Sequence, residues 1–172
     1  MNTDTWLVVP LYNEGTVVGD VIRQARETFC KIVCVDDGSS DDSAEVAAAA
    51  GAVLVTHPVN LGQGAALQTG ITYALGDPEA GYIVTFDSDG QHRTEDAERM
   101  VQRLRMEDLD VILGSRFLGS ATDAGLLKRL VLRAAVMFER MTTHLKVTDT
   151  HNGLRAFSRA GAEAIQIRQN RM

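Results

Sequence analysis

Two aspartates, a glutamine and a histidine crowd into Phe86-Asp87-Ser88-Asp89-Gly90-Gln91-His92, directly after the apolar run Gly81-Tyr82-Ile83-Val84-Thr85. Positions two apart project to the same side of an extended chain, so Asp87 and Asp89 can converge. Converging carboxylates repel and call for a cation, a proton or an arginine between them. Hard oxygen ligands suit Mg²⁺ or Mn²⁺, ions that keep waters and bridge to substrate phosphates. Gln91 offers a further neutral oxygen and His92 a nitrogen. A metal held there would polarise a diphosphate leaving group. The plainer alternative for the stretch is an Asx turn followed by a helix entry.

Similar polar clusters recur along the chain. Pro10-Leu11-Tyr12-Asn13-Glu14 follows one apolar run. Asp36-Asp37-Gly38-Ser39-Ser40-Asp41 follows another; its carboxylates offer acceptors for a base or ribose, or simply a turn and a helix cap. His57-Pro58 and Asn60-Leu61-Gly62-Gln63-Gly64 come next. The glycine pair lacks the lysine of a P-loop and reads as a close approach of helix to sheet. Gly114-Ser115-Arg116-Phe117 places Arg116 as a candidate phosphate clamp, the alternative being a solvated arginine. Ligands collect beyond the carboxyl ends of strands in open parallel sheets. Four polar strand ends on one side of a sheet are a stronger signal than any single acidic turn.

The elements that must position these residues are legible as alternating runs. Strands are expected at Trp6 to Pro10, Ile32 to Val35, Ala52 to Thr56, Tyr82 to Phe86 and Val111 to Leu113. Helices are expected between them: from Glu14 to Thr28, from a cap at Asp41 or Ser40 to about Ala50, from Gly62 to Leu75, and from a Thr94 cap to about Met106. Gly51 reads as a helix stop. The strands are continuously apolar and alternate with helices, which predicts an α/β fold with a mainly parallel sheet covered on both faces. Residues 114–125 are rich in Gly, Ser and Asp and read as a loop. Leu126, Leu127, Leu130, Val131, Ala134, Met137, Phe138 and Met141 then form an apolar helical stripe. Core packing explains it most simply; a membrane-surface face is the alternative.

The chain has 172 residues, 45% hydrophobic and 23% charged, enough for one domain with a sizeable core. No apolar run is long enough to span a membrane, and no signal peptide is visible. Cys30 and Cys34 read as reduced core thiols of a cytosolic protein. The net charge of −6 is uneven: residues 1–114 hold 7 Lys/Arg against 19 Asp/Glu, residues 115–172 hold 10 against 4. An acidic first part can hold a cation. A basic last part can meet phosphates or an anionic membrane surface, or its charge is simply solvated.

As a set, VVPLYNE, VDDGSSDDS, NLGQGAALQTG, FDSDGQH, GSRF and DTHNGLRAFSR resemble the family 2 inverting glycosyltransferases. The resemblance runs from about Leu7 to Arg159. It is closest to the dolichyl-phosphate mannosyltransferase and polyprenyl-phosphate glycosyltransferase branch. It implies a GT-A fold, with residues 1–113 as the nucleotide-sugar-binding part and 114–172 as the acceptor side of a single domain. It implies that Pro10, Tyr12, Glu14, Asp37, Asp87 and Ser88 bind the nucleotide-sugar, a GDP- or UDP-sugar. Asp87, Asp89 and Gln91 would hold Mg²⁺ or Mn²⁺, and Asp89 and Arg116 would be catalytic. Arg116, Arg129 and Arg133 would meet the phosphate of a polyprenyl phosphate acceptor.

Asp149 and Asn152-Gly153-Leu154-Arg155 match a stretch the family often writes Ser-Gly-Phe-Arg, with Asn152 and Leu154 departing from it. Family members usually continue beyond the point where this chain stops. A lipid phosphate is already anionic near neutral pH, so positioning arginines can replace a strong base, Asp123 being the nearest carboxylate otherwise. The implied location is the cytoplasm, at the membrane face, with no nucleic-acid partner. Two rivals are a soluble or saccharide acceptor with the same donor chemistry, and a nucleotide-sugar-binding module without turnover.

Overall fold

The computed structural model describes residues 2–114, 153–165 and 167. Its strands are β1 (Asn2–Leu11), β2 (Phe29–Asp36), β3 (Val53–Thr56), β4 (Tyr82–Thr85), β5 (Val111–Leu113) and β6 (Arg155–Ser158). Its helices are α1 (Val18–Arg26), α2 (Ser43–Ala49), α3 (Gln63–Leu75), α4 (Thr94–Glu107) and α5 (Arg159–Ala164). The strands lie in the order β3-β2-β1-β4-β6-β5. β1 runs parallel to β2 and β4, and β2 parallel to β3, while β6 is antiparallel to β4. The mainly parallel sheet expected from the apolar runs is therefore present, with one antiparallel insertion that short alternating segments did not announce.

Alternation along each strand divides the core in two. Leu7, Val9, Leu11, Ile32, Cys34, Val84 and Phe86 face α1, α2 and α4. Trp6, Val8, Val33, Val35, Ile83 and Phe157 face α3 and α5. Because both faces are covered, both sets of positions must be apolar, which is why the strands read as unbroken hydrophobic runs. α3 presses on the sheet at Gly70, where a Cβ would stand 2.3 Å from Val8 Cγ1 and 3.2 Å from Val35 Cγ2. At the opposite end of the sheet from the polar strand ends, Asp77 accepts from Trp6 Nε1 (2.9 Å) and Lys31 Nζ (2.6 Å). Arg159 clasps the carbonyls of Leu75, Asp77 and Ala80 at 2.9–3.1 Å and so fastens α5 to the turn after α3.

Several boundaries differ from the expectation. β1 begins at Asn2, well before Trp6. α1 starts at Val18 rather than Glu14, because Asn13 takes a left-handed φ of 55° and Glu14 to Val17 form a turn first. Neither Ser40 nor Asp41 occupies the cap of α2; that position is Asp42, and Asp41 Oδ1 instead accepts from the Ser43 N–H at 3.1 Å. Thr94 is the first helical residue of α4 and Arg93 the cap. Gly51 does end α2, with φ +95°. Cys34 is buried, but Cys30 is exposed and not a core thiol. The pairing of β1 with β2 slips between Asn2 and Trp6, so β2 starts outside the regular alternation that buries Ile32 and Cys34.

The chain resolves into two units, Met1–Ile112 with Leu154–Met172, and Leu113–Gly153. The first holds the sheet described above. The stretch 115–125, the apolar stripe from Leu126 to Met141, Asp149 and Asn152 lie outside the described residues.

Candidate active site

β1, β2 and β4 end together. The Asp37 N–H donates to the Leu11 carbonyl at 2.8 Å, and the Phe86 N–H to the Val8 carbonyl at 2.9 Å; past these rungs the chains part. Between them opens a cleft of about 360 Å³. Pro10, Leu11, Tyr12 and Glu14 line it from β1, Asp37 from β2, Asp87, Ser88 and Asp89 from β4, and Asn60, Gly62, Gln63 and Ala66 from the loop and start of α3. All six residues assigned to nucleotide-sugar binding, together with Asp89, thus border one space. Gln91 does not. Arg116, Arg129 and Arg133 lie outside the described residues.

Serines hold the β1 end in place. Ser39 Oγ accepts from the Asn13 N–H (2.9 Å) and Ser43 Oγ from the Glu14 N–H (2.7 Å), while Asn13 Oδ1 accepts from the Ser40 N–H (2.8 Å). Asp41 Oδ2 accepts from the Gly15 N–H at 3.2 Å. The Ser39-Ser40-Asp41 segment is therefore a clamp on the Asn13–Gly15 turn, which keeps the half-buried Glu14 beside the cleft. That pairing joins residues distant in sequence and has no periodic signature.

Asp37 is not simply an open acceptor for base or ribose. It is 3% exposed, and its Oδ1 accepts from the Leu61 N–H (2.9 Å) and pairs with His57 Nδ1 (2.7 Å), while Oδ2 accepts from the Gly62 N–H (2.7 Å). Burial opposes its charge, but the bonds from His57, Leu61 and Gly62 outweigh that and hold the carboxyl below its ordinary range. Asp37 builds the wall of the cleft as much as it faces it. Neighbouring Asp36 is buried as well, with Oδ1 accepting from the Ser39 N–H at 3.2 Å.

The carboxylates of the acidic motif have different surroundings. Asp87 Oδ2 meets His92 Nε2 at 2.9 Å, and Oδ1 accepts from the Gln63 amide at 3.3 Å. His92 in turn sits edge-on to Phe86, ring centroids 5.6 Å apart. Asp89 is exposed, and its Oδ1 accepts from the Gln91 N–H at 2.9 Å. The Asx turn and the cleft-facing carboxylates are thus one structure, not alternatives. His92 Nε2 is engaged with Asp87, and the backbone N–H of Gln91 with Asp89.

Among the described residues no group of three or more His, Cys, Asp or Glu side chains is arranged to enclose a metal. Mg²⁺ or Mn²⁺ bound through one or two carboxylates and completed by substrate phosphates needs no such cage. Asp89 and Asp87, hard oxygens on one cleft, fit an ion of that kind.

The model of the glycosyl transferase family 2 matches residues 6–165. The chain belongs to this family. Its sheet and flanking helices are those of the GT-A fold. A Methanocaldococcus jannaschii relative, "Uncharacterized protein MJ1222", is 38% identical over 94% of this chain and 68% of its own length. A UDP-N-acetylglucosamine–dolichyl-phosphate N-acetylglucosaminyltransferase of Methanococcus voltae is 27% identical over 96% of this chain and 74% of its own. A solved Mycobacterium tuberculosis structure, glucosyl-3-phosphoglycerate synthase with Mn²⁺ and UDP-glucose, superposes with TM-score 0.65 at 25% identity. That likeness covers 92% of this chain and 57% of the solved one.

Proposed function

We propose that the chain transfers a sugar, with inversion, from a nucleoside-diphosphate donor to a polyprenyl phosphate. One observation carries the reading: Glu14, Asp37, Asp87 and Asp89 meet on a single cleft at the carboxyl ends of β1, β2 and β4. Pro10, Tyr12 and Asp37 border the nucleotide, and Ser88 and the carboxylates border its diphosphate. Asp89, assisted by Asp87, would hold Mg²⁺ or Mn²⁺, and such an ion would supply charge to offset that of a departing diphosphate. Both oxygens of Asp87 are engaged, by His92 and Gln63, whereas exposed Asp89 accepts, among the described residues, only through Oδ1, from the Gln91 N–H, so Asp89 would be the principal ligand. The acceptor phosphate is itself an anionic nucleophile, so Arg116, with Arg129 or Arg133, needs only to position it.

The Methanococcus voltae relative supports the lipid acceptor and a UDP donor by its name. The Mycobacterium tuberculosis enzyme supports a second reading, a small soluble phosphorylated acceptor met by the same arginines. No helix among the described residues is long and apolar enough to cross a membrane; a peripheral position at its cytoplasmic face goes with the lipid acceptor.

The test is transfer from labelled UDP- and GDP-sugars to undecaprenyl phosphate and, separately, to 3-phosphoglycerate, with and without Mn²⁺. Asp89→Ala should abolish the metal dependence of donor binding while leaving thermal stability near wild type. Donor binding in that variant that still responds to Mn²⁺ would remove Asp89 from the role. Binding of donor with no transfer to either acceptor would favour a module without turnover.

A further inference from the structure

His57 is buried at 8% exposure and is not itself among the residues that line the cleft. It nonetheless stands where three elements meet. Its backbone N–H continues the β2–β3 ladder onto the Asp36 carbonyl at 2.8 Å. Its Nδ1 lies 2.7 Å from Asp37 Oδ1, and its Nε2 lies 2.9 Å from Thr69 Oγ1, in the second turn of α3. An ionised carboxylate only accepts, so Nδ1 carries the proton, and the Thr69 hydroxyl can complete Nε2 as donor or acceptor. Asp37 spends its other contacts on the Leu61 and Gly62 N–H groups, immediately before α3. The ring is therefore a strut: it fixes Asp37 to α3, and Asp37 fixes the segment whose Asn60 and Gly62 form one wall of the cleft. Gly38 leaves that segment little slack, since a Cβ there would stand 2.9 Å from Asn60 N and from the Val59 carbonyl carbon.

We infer that His57, seated on Thr69, is a positioning residue for the nucleotide donor, acting through Asp37 on the Asn60–Gly62 wall. The inference rests on the reading of the cleft as a donor site. A merely structural histidine would affect stability and spare affinity; a positioning one changes how tightly a nucleotide is held in a chain that remains folded.

The discriminating set is His57→Leu, His57→Asn and Thr69→Val, with UDP plus Mn²⁺ and GDP plus Mn²⁺ as probes. Asn places an amide N–H near the position of Nδ1 and so keeps the donor to Asp37; Leu fills the space without it. His57→Leu should weaken nucleotide binding by about tenfold or more, as expected for losing a hydrogen bond to a charged group. His57→Asn should restore most of that affinity. Thr69→Val, which releases only the outer end of the strut, should fall between. In turnover the loss should reside in the donor KM with kcat little changed, the mark of lost uniform binding. Amide exchange at Leu61 and Gly62, followed in the nucleotide-free protein, should quicken in His57→Leu and recover in His57→Asn.

Wild-type nucleotide affinity in His57→Leu, or equal losses in His57→Leu and His57→Asn, would overturn the inference. So would unchanged exchange at Leu61 and Gly62 in a folded His57→Leu variant. A wild-type chain that binds neither nucleotide would instead overturn the donor-site reading, and the positioning role with it. Should His57→Leu fail to fold, the Asn and Val variants decide by the same two readouts.

Discussion

Replacing Gly70 by alanine tests the packing that sets α3, and through it one side of the cleft. The added methyl would stand 2.3 Å from Val8 Cγ1. Carbon atoms pack best at about 3.5–4.0 Å, so the helix has to lift by roughly 1 Å or Val8 has to move. Val8 is fully buried, lies on the central strand and pairs with Val33 and Thr85, so it has nowhere to go. Val35, 3.2 Å away, is another stiff β-branched neighbour. Overpacking of this kind costs about 1–3 kcal/mol, and the rigid partners put this site at the upper end. Alanine's better helix propensity returns about 1 kcal/mol. The net loss is about 2 kcal/mol, which for a domain of this size lowers the melting temperature by about 4–8 °C.

Urea denaturation should show a lower midpoint with an unchanged m-value. Gly81→Ala is the control, because its Cβ meets nothing nearer than 3.5 Å; it should be neutral or stabilise by up to about 1 kcal/mol. Since α3 carries Gln63 and Ala66 into the cleft, Gly70→Ala should also weaken nucleotide binding. A Gly70→Ala protein as stable as wild type would refute the argument, since it would show a helix–sheet contact with room to spare.

Further outcomes follow from groups away from the cleft. Lys31, then Trp6 and the Glu79 N–H, hold the Asp77 carboxyl at about 2, below its ordinary 3.8. A lowered folded value stabilises above the unfolded one, so this contribution is present above about pH 4 and is lost as pH falls toward 2. The stability advantage of wild type over Asp77→Asn should therefore shrink across that window; the fluorescence of Trp6, the sole tryptophan, follows both proteins. An advantage that does not change between pH 4 and 2 would contradict the assignment. Burial pushes the Cys34 thiol up to about 12, while Cys30 is exposed. A thiol reagent near pH 8 should thus titrate one cysteine in the native protein and two after unfolding, and two reactive thiols in the native state would show Cys34 accessible.

What the sequence made legible was whatever repeats. The central strands showed as apolar runs because both their faces are covered, and the acidic strand ends stood out because polar clusters recur after several of those runs. Val111–Leu113 was placed to the residue. β6 was not, since Arg155-Ala156-Phe157-Ser158 is too short to show a period and owes its pairing to β4, far upstream. The site showed the same divide. Residue types pointed to Asp37, Asp87 and Asp89, but the roles of His57, His92 and Gln63 depend on which carboxylate each one meets. The Ser39 and Ser43 bonds to the Asn13–Gly15 turn are likewise side chain to backbone, and no spacing rule marks them.

The place of β6 between β4 and β5 has a consequence for how the molecule is made. When a ribosome has delivered everything up to Leu113, β4 still has one bare edge and β5 has no neighbour among the described strands, because the strand that joins them, Arg155–Ser158, is translated only later. An unpaired edge beside apolar residues is a template for the wrong partner. The nascent chain therefore waits with its sheet unclosed until Ser158 arrives and Arg159 can latch the seam, and cutting the gene before that point should yield aggregates rather than a smaller working enzyme.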